Sequence, residues 1–432
     1  MKFSHFSRIL IAPLILGAAF LIWRAWAHRG GPAVDWTEFR GPTQDGHSTA
    51  RGLPTVWGVD KNIVWQTGLR GRAWSSPIVA GDRIYLTNAI TAKDEEDPHI
   101  PVSLHVLALD AKDGKILWDK EVLTAEQPFS TGFHEKNSHA SATPIFEKGR
   151  IYAHFATFGT ACVDEQGNII WTTHDPVFKT ELGTGSCPVI VDDLLIFNCD
   201  GVSAPFVVAL DKATGKERWR TLRGDTRGKT KNLYALSTPL LIEVNGEKQL
   251  ITVGSYTVQA LAPKDGREIW RMFHPNYCAV PRPVSGQGLV FINTGFEHPS
   301  TYAIKPNGKG DVTETNLIWD THKNTPLTPS MLVVGEELYM VSDSGAVTCL
   351  DAKTGKVRWN ERVGKTTSAS PFYAEGKIYI QDEYGTSYVL KAGRKFELLA
   401  TNNLSEKAMA SYAVHGKHLL IRTHHTLWCV GE

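Results

Sequence analysis

At 432 residues, 42% hydrophobic and 21% charged, the chain is globular in composition and longer than one average domain. Its 46 Lys and Arg against 45 Asp and Glu leave a formal net charge of +1, with no basic excess to coat nucleic acid and no acidic tail. Thirteen Trp beside 38 Gly point instead to many short strands joined by glycine turns, with large aromatics at fixed stations.

In chain order, Lys2 and Arg8 precede an apolar run of 15 residues, Ile9 to Trp23. That length suits the core of a signal peptide and falls short of the roughly 18–20 residues that a comfortable membrane span takes. Ala25-Trp26-Ala27 offers a small-x-small cleavage site. The rival reading is an uncleaved signal anchor, with Trp23 and Trp26 flanking Arg24 at the interface. Both readings export the remainder, so the expected location is the periplasm or cell envelope; the second adds inner-membrane attachment through residues 9–23. Loss of residues 1–27 would remove three basic residues and no acid, leaving a charge of −2. No Cys adjoins the apolar run, which argues against a bacterial lipoprotein anchor. Residues 28–61 read as a linker and N-terminal arm.

From there the chain repeats. Tryptophans stand at Trp65, Trp118, Trp171, Trp219, Trp270, Trp319 and Trp359, separated by 40 to 53 residues. One phrase precedes several of them: Leu109-Asp110-Ala111-Lys112-Asp113-Gly114-Lys115, Leu210-Asp211-Lys212-Ala213-Thr214-Gly215-Lys216 and Leu350-Asp351-Ala352-Lys353-Thr354-Gly355-Lys356. A small-residue-Pro station recurs at Ser76-Pro77, Thr143-Pro144, Cys187-Pro188, Thr238-Pro239, Thr328-Pro329 and Ser370-Pro371. Each unit reads as four strands, A to D, in the first unit Ser76–Ala80, Arg83–Thr87, Leu104–Leu109 and Lys115–Lys120. The Gly of the C–D turn supplies a positive φ. One such sheet cannot bury both faces, but a ring of them can, so the expected fold is an all-β, eight-bladed propeller of four-stranded antiparallel blades over residues 62–432.

Units starting at Ser76, Ala142, Ser186, Ser237, Pro281, Thr328 and Ser370 are complete, the seventh using Phe396–Thr401 where Trp would stand. The C-terminus supplies three more strands, Ala410–His415, His418–Thr423 and Thr426–Gly431, and Asn62–Thr67 is a D strand without a blade. Joining them closes the ring and removes two free edges. Six cysteines form no CxxC and no adjacent pair. Cys187 with Cys199 is the best candidate for a disulfide; the alternative is that all six are small buried apolar residues.

The Leu-Asp-Ala-Lys-Thr-Gly-Lys-x-x-Trp phrase with its small-residue-Pro station resembles the signature of PQQ-like eight-bladed propeller repeats. That superfamily includes the quinoprotein dehydrogenases and the outer-membrane assembly lipoprotein BamB. Trp36-Thr37-Glu38-Phe39-Arg40-Gly41-Pro42 and Asn137-Ser138-His139-Ala140-Ser141 resemble the secreted PQQ-like propellers of planctomycetes. The resemblance covers roughly residues 36–432. Its enzymes hold PQQ with an adjacent cysteine pair, a stacking Trp and a calcium bound by Glu, Asn and Asp, with an Asp base. The sequence has no adjacent cysteine pair, no alignable Glu/Asn/Asp set and no CxxCH haem site. Neither PQQ nor calcium is therefore expected as a cofactor, and no catalytic or metal-binding residue is assigned.

In a propeller the D–A and B–C connections share one rim. The long insertions fall there: Asn88–Ser103, Val122–Ala140, Cys199–Pro205, Arg223–Ala235, Phe273–Ala279 and Thr294–Ser300. The richest segment, Phe133 to Ser141, carries His134, Glu135, Asn137 and His139, a polar pocket or the caps of a turn-rich loop. Around it the candidate ligand-binding set is completed by Trp74, Ser75, Asp200, Tyr234, Ser237, Arg282 and Glu297, with His298 beside the last. Asp94-Glu95-Glu96-Asp97 lacks EF-hand spacing and reads as a solvated loop. Arg223, Arg227, Lys229 and Lys231 make only a modest basic loop. The leading expectation is an exported, non-catalytic propeller that binds an envelope protein or a carbohydrate through this rim, a BamB-like assembly scaffold being its most concrete form. The alternative is a PQQ-dependent or other enzyme of the superfamily.

Overall fold

The computed structural model describes residues 35–91, 101–126, 134–180, 182–183, 185–202 and 204–432. The expectations for residues 1–27, for the acidic run at 94–97 and for Phe133 lie outside the described residues. Among those described, the strands form eight sheets, the blades of an all-β propeller. Blade 1 consists of Ile78–Ala80, Arg83–Thr91, Val102–Asp110 and Ile116–Ala125. Blade 8 consists of Ala413–His415, His418–Arg422, Thr426–Val430 and, as its outermost strand, Ile63–Gly68. The clasp is made: Trp65 pairs with Cys429 and Gly68 with Thr426, antiparallel.

The Trp-Gly repeat has a mechanical basis. Every ladder Trp donates its indole N–H to a turn carbonyl of the next blade. Trp65 reaches Ala111 O at 3.1 Å, Trp118 Glu165 O at 2.9 Å, Trp171 Lys212 O at 3.2 Å and Trp219 Pro263 O at 3.0 Å; Trp270, Trp319 and Trp359 continue the series. The turn Gly is needed twice over. Gly215 has φ +73°, and a Cβ there would lie 2.6 Å from the Trp171 ring. Blade 7 lacks this Trp because blade 8 has no C–D turn to receive it: those two strands are the two ends of the propeller chain. Ala400 occupies the position, and Trp57 from the N-terminal arm stacks on Tyr379 instead, ring centroids 6.4 Å apart.

Two details differ from the sequence reading. Asn88–Thr91 and Val102–Ser103 are not loop; they pair and lengthen the blade 1 hairpin beyond the ring. Blade 4 gains a fifth strand, Gly310–Asp311, parallel to its outer edge at Trp270 and Arg271.

Residues 35–61, expected as linker and arm, lie against the ring, with Trp36, Leu53 and Trp57 buried in one core with blades 1, 7 and 8. The stretch from Trp36 to Ser48 crosses one mouth of the channel. Trp36 O accepts from Val79 N, Thr37 O from Phe146 N, and Gly46 O from Tyr373 N. Gln44 Oε1 accepts from Leu241 N, and His47 Nε2 lies 2.7 Å from Val333 O. Each partner is the second residue of an innermost strand, next to the short A–B turn. The arm therefore stoppers the short-turn mouth; among the described residues no segment stoppers the long-loop mouth in the same way.

Candidate functional site

The residue two positions before each innermost strand stands at the channel, and in every blade but the fifth it lines the cavity. In blades 1 to 8 these are Ser76, Thr143, Cys187, Thr238, Arg282, Ser330, Ser370 and Ser411. They form a belt in which each backbone N–H donates to the next blade's side chain. Ser76 N donates to Thr143 Oγ1 (2.9 Å), Thr143 N to Cys187 Sγ (3.2 Å) and Cys187 N to Thr238 Oγ1 (2.9 Å). Arg282 N donates to Ser330 Oγ (3.0 Å), Ser330 N to Ser370 Oγ (3.0 Å), Ser370 N to Ser411 Oγ (2.9 Å) and Ser411 N to Ser76 Oγ (3.1 Å). The link from Thr238 to Arg282 is missing because a guanidinium accepts no hydrogen bond. Arg282 Nε donates back to Pro239 O (3.0 Å) and joins those blades another way. In blade 6 the belt residue is Ser330, two residues past the expected Thr328-Pro329 station.

The belt surrounds a blind cup of about 490 Å³. Phe39 of the arm is its floor, and Leu236, Val280, Leu327 and Met409 line its wall. Aromatic groups gather higher up. Tyr234 and Tyr277 meet edge-on, 6.0 Å between centroids, and Tyr277 lies 6.2 Å from Phe296. Trp74 stacks on His424 at 5.5 Å, with the Lys407 ammonium 5.9 Å from its ring. Lys136, leading into blade 2, reaches across the cup: its Nζ lies 2.9 Å from Glu383 Oε1 in blade 7 and 3.6 Å from Asp343 Oδ1 in blade 6. Asp343 is held by Leu327 N, Thr328 N and Thr328 Oγ1, so its position is set before Lys136 arrives.

Of the candidate residues, Trp74, His134, Asn137 and Tyr234 line this cup. Asn137 donates to Leu182 O (2.7 Å) and accepts from Ser138 N (2.8 Å), which pins the loop to blade 3. Ser75 and Ser237 do not face it. Each is one residue short of the belt, and alternation along an extended chain turns it into the blade. Ser75 Oγ accepts from Arg422 at 2.7 Å, and Ser237 Oγ donates to Pro281 O at 2.9 Å. His139 turns away to Phe158, 5.5 Å between centroids, and burial lowers it to about 4. Asp200 is wholly buried in a bidentate pair with Arg223 (2.8 and 2.6 Å), which also donates to Thr252 and Gln259. Arg282 points under the floor, donating to Phe39 O (2.9 Å) and Gln44 Oε1 (2.7 Å). Glu297 belongs to a neighbouring recess with His298, where it accepts from Tyr277 Oη at 3.1 Å.

The sequence reading assigned no site role to Lys136, Asp343, Tyr277 or the belt. The belt had a signal, its fixed place before each innermost strand; Lys136 and Asp343 had none, being 207 residues apart. The Cys187–Cys199 pairing is not made. The hairpin register, Val189 with Ile196, sets Cys187 beside Asn198, so the two thiols face opposite sides of the sheet. Among the described residues no three His, Cys, Asp or Glu side chains converge as metal ligands.

The family model described as outer membrane protein assembly factor BamB matches residues 21–156, 105–256 and 254–396. By sequence the chain is similar to the outer membrane protein assembly factor BamB of Yersinia pestis, 23% identical over 269 residues. That match takes in 50% of this chain and 66% of the relative, just short of two thirds of its length. By structure it is similar to BamB from Moraxella catarrhalis, with a TM-score of 0.56 at 13% identity, over 85% of this chain and 96% of that one. It is also similar to a europium-containing methanol dehydrogenase, TM-score 0.64 at 12% identity, over 91% of each. At such identities the two structural likenesses concern the fold alone.

Proposed function

The chain belongs to the family of the outer membrane protein assembly factor BamB, and from that premise we propose that it is a binding scaffold of the cell envelope that takes a segment of a protein partner into its cup. The observation carrying this reading is the one-sided channel: the arm stoppers one mouth, and the other opens among Trp74, Tyr234, Tyr277 and Phe296. Large aromatics at the rim of an apolar recess are the usual anchors of a protein interface. Two of the candidate groups that chemistry would draw on are spent on structure, Asp200 on Arg223 and His139 on Phe158.

Photo-crosslinking tests the reading. A benzophenone amino acid replacing Tyr234 should give a discrete protein adduct in envelope extract, whereas one replacing the exposed Gln287, on a short A–B turn, should give none. No adduct from position 234, or equal capture from both, would overturn it.

A further inference from the structure

The donors and acceptors around the cup do not balance. Six belt hydroxyls, on Ser76, Thr143, Thr238, Ser330, Ser370 and Ser411, each accept a backbone N–H; Thr143 and Thr238 also meet the Cys187 sulfur, and the other four have no acceptor for their own proton among the described residues. All six residues line the cavity and are at most 8% exposed. Since a hydroxyl proton rotates to whatever acceptor it finds, those of Ser76, Ser330, Ser370 and Ser411 have the cup to donate into. An unmet buried donor is costly, so the base of the cup favours a group rich in acceptors.

Charge selects among such groups. Beneath the Phe39 floor lie the guanidinium groups of Arg282 and Arg40, both fully buried. Arg40 is held by carbonyls, Met331 O at 2.7 Å and Pro371 O at 3.4 Å. Arg282 is held by Pro239 O, Phe39 O and Gln44 Oε1, with the Glu38 carboxyl no closer than 4.0 Å. Burial holds Glu38 up at about 7, which weakens it as a counter-charge. The two guanidinium groups are hydrogen-bonded by neutral dipoles, and the carboxyls that act on them, Glu38 and Asp45, form no close ion pair with either, which leaves a positive field at the bottom of a recess walled by apolar groups.

We propose that the base of the cup is a carboxylate-binding site, filled by an acidic side chain or the chain terminus of the partner's inserted segment. The belt hydroxyls donate to its oxygens, and Arg282 and Arg40 supply the field from below. This rests on the cup being the binding site, as proposed above, and adds the chemistry of what enters it.

The chain itself supplies the test variant. At Cys187 the belt already uses a sulfur, whose Sγ accepts from Thr143 N at 3.2 Å. Ser370→Cys with Ser411→Cys therefore keeps the belt acceptors and replaces two hydroxyl donors by weak thiol donors. Ligand-observed NMR on the full chain compares benzoate with benzamide. Two tetrapeptides locate the source: one with an Asp side chain and an amidated end, the other with Asn and a free terminus. Benzoate should bind about tenfold or more tighter than benzamide, as hydrogen bonds to a charged acceptor imply. The double variant should lose most of that preference with its unfolding temperature kept, and each single variant part of it. Equal binding of benzamide, or full preference in the variants, would overturn the inference. A cross-link at position 234 without carboxylate preference removes this inference and leaves the scaffold. Preference without a cross-link keeps the carboxylate site and removes the scaffold reading, with the partner segment as its occupant.

Discussion

Lys136 Nζ sits 2.9 Å from Glu383 Oε1, which ties the loop before blade 2 to a turn of blade 7 over the open mouth of the channel. Side chains on both ends of this bridge are partly exposed, so its contribution to global stability is small. Its effect is local, holding the segment that carries His134 and Asn137 over the cup. Lys136→Gln should leave the unfolding temperature within a degree or two of the parent, and limited proteolysis should then cut residues 134–140 faster. Unchanged cleavage would mean that the Asn137–Leu182 bond alone fixes the loop.

The clasp should be indispensable. Deleting residues 60–70 removes Ile63–Gly68 and exposes the paired edge of Thr426–Val430. The expected outcome is aggregation on size exclusion, or a large drop in unfolding temperature. An unchanged transition would refute closure by the N-terminal strand.

Asp200 and Tyr234 were grouped in the sequence reading, and the structure separates them. Asp200→Asn breaks a fully buried ion pair and should cost about 3–5 kcal/mol in urea unfolding while leaving partner capture intact at low temperature. Tyr234→Ala should cost under about 1 kcal/mol and abolish capture. Trp270→Ala, removing a fully buried ladder residue, should cost roughly 3–5 kcal/mol.

Stability should fall in acid. Burial lowers His154 to about 3 and His274 to about 4, against 6.5 in the unfolded chain. Below 6.5 the unfolded state binds protons that the folded state refuses, so stability is lost as pH drops from about 6.5 toward 4. Glu38 works in the opposite sense. With burial raising it from 4.5 to about 7, the stability it contributes below 4.5 is lost as pH rises through 7. Urea midpoints at half-unit pH steps should therefore rise between pH 4.5 and 7, more steeply in Glu38→Gln than in the parent. An identical slope would show that Glu38 titrates normally.

The blade count, the strand order within each blade and the closing strand were legible because their code is local. Alternation makes a strand, a positive-φ Gly makes the turn, and a Trp one blade back needs the space that Gly leaves. Even the missing Trp of blade 7, at Ala400, follows from blade 8 pairing Thr426–Val430 with Ile63–Gly68, two strands that no C–D turn joins. The site was half legible, and the misses have one cause. Whether Ser75 or Ser76 faces the channel is a matter of one residue in register; the small-residue-Pro station marks Ser76, and alternation then turns Ser75 into the blade. Which groups Arg282 and Lys136 meet depends on ring closure, which sets Arg282 against Phe39 across 243 positions of sequence. A buried charge needs hydrogen-bonding partners, and for Arg282 and Lys136 only the closed ring decides which groups those are.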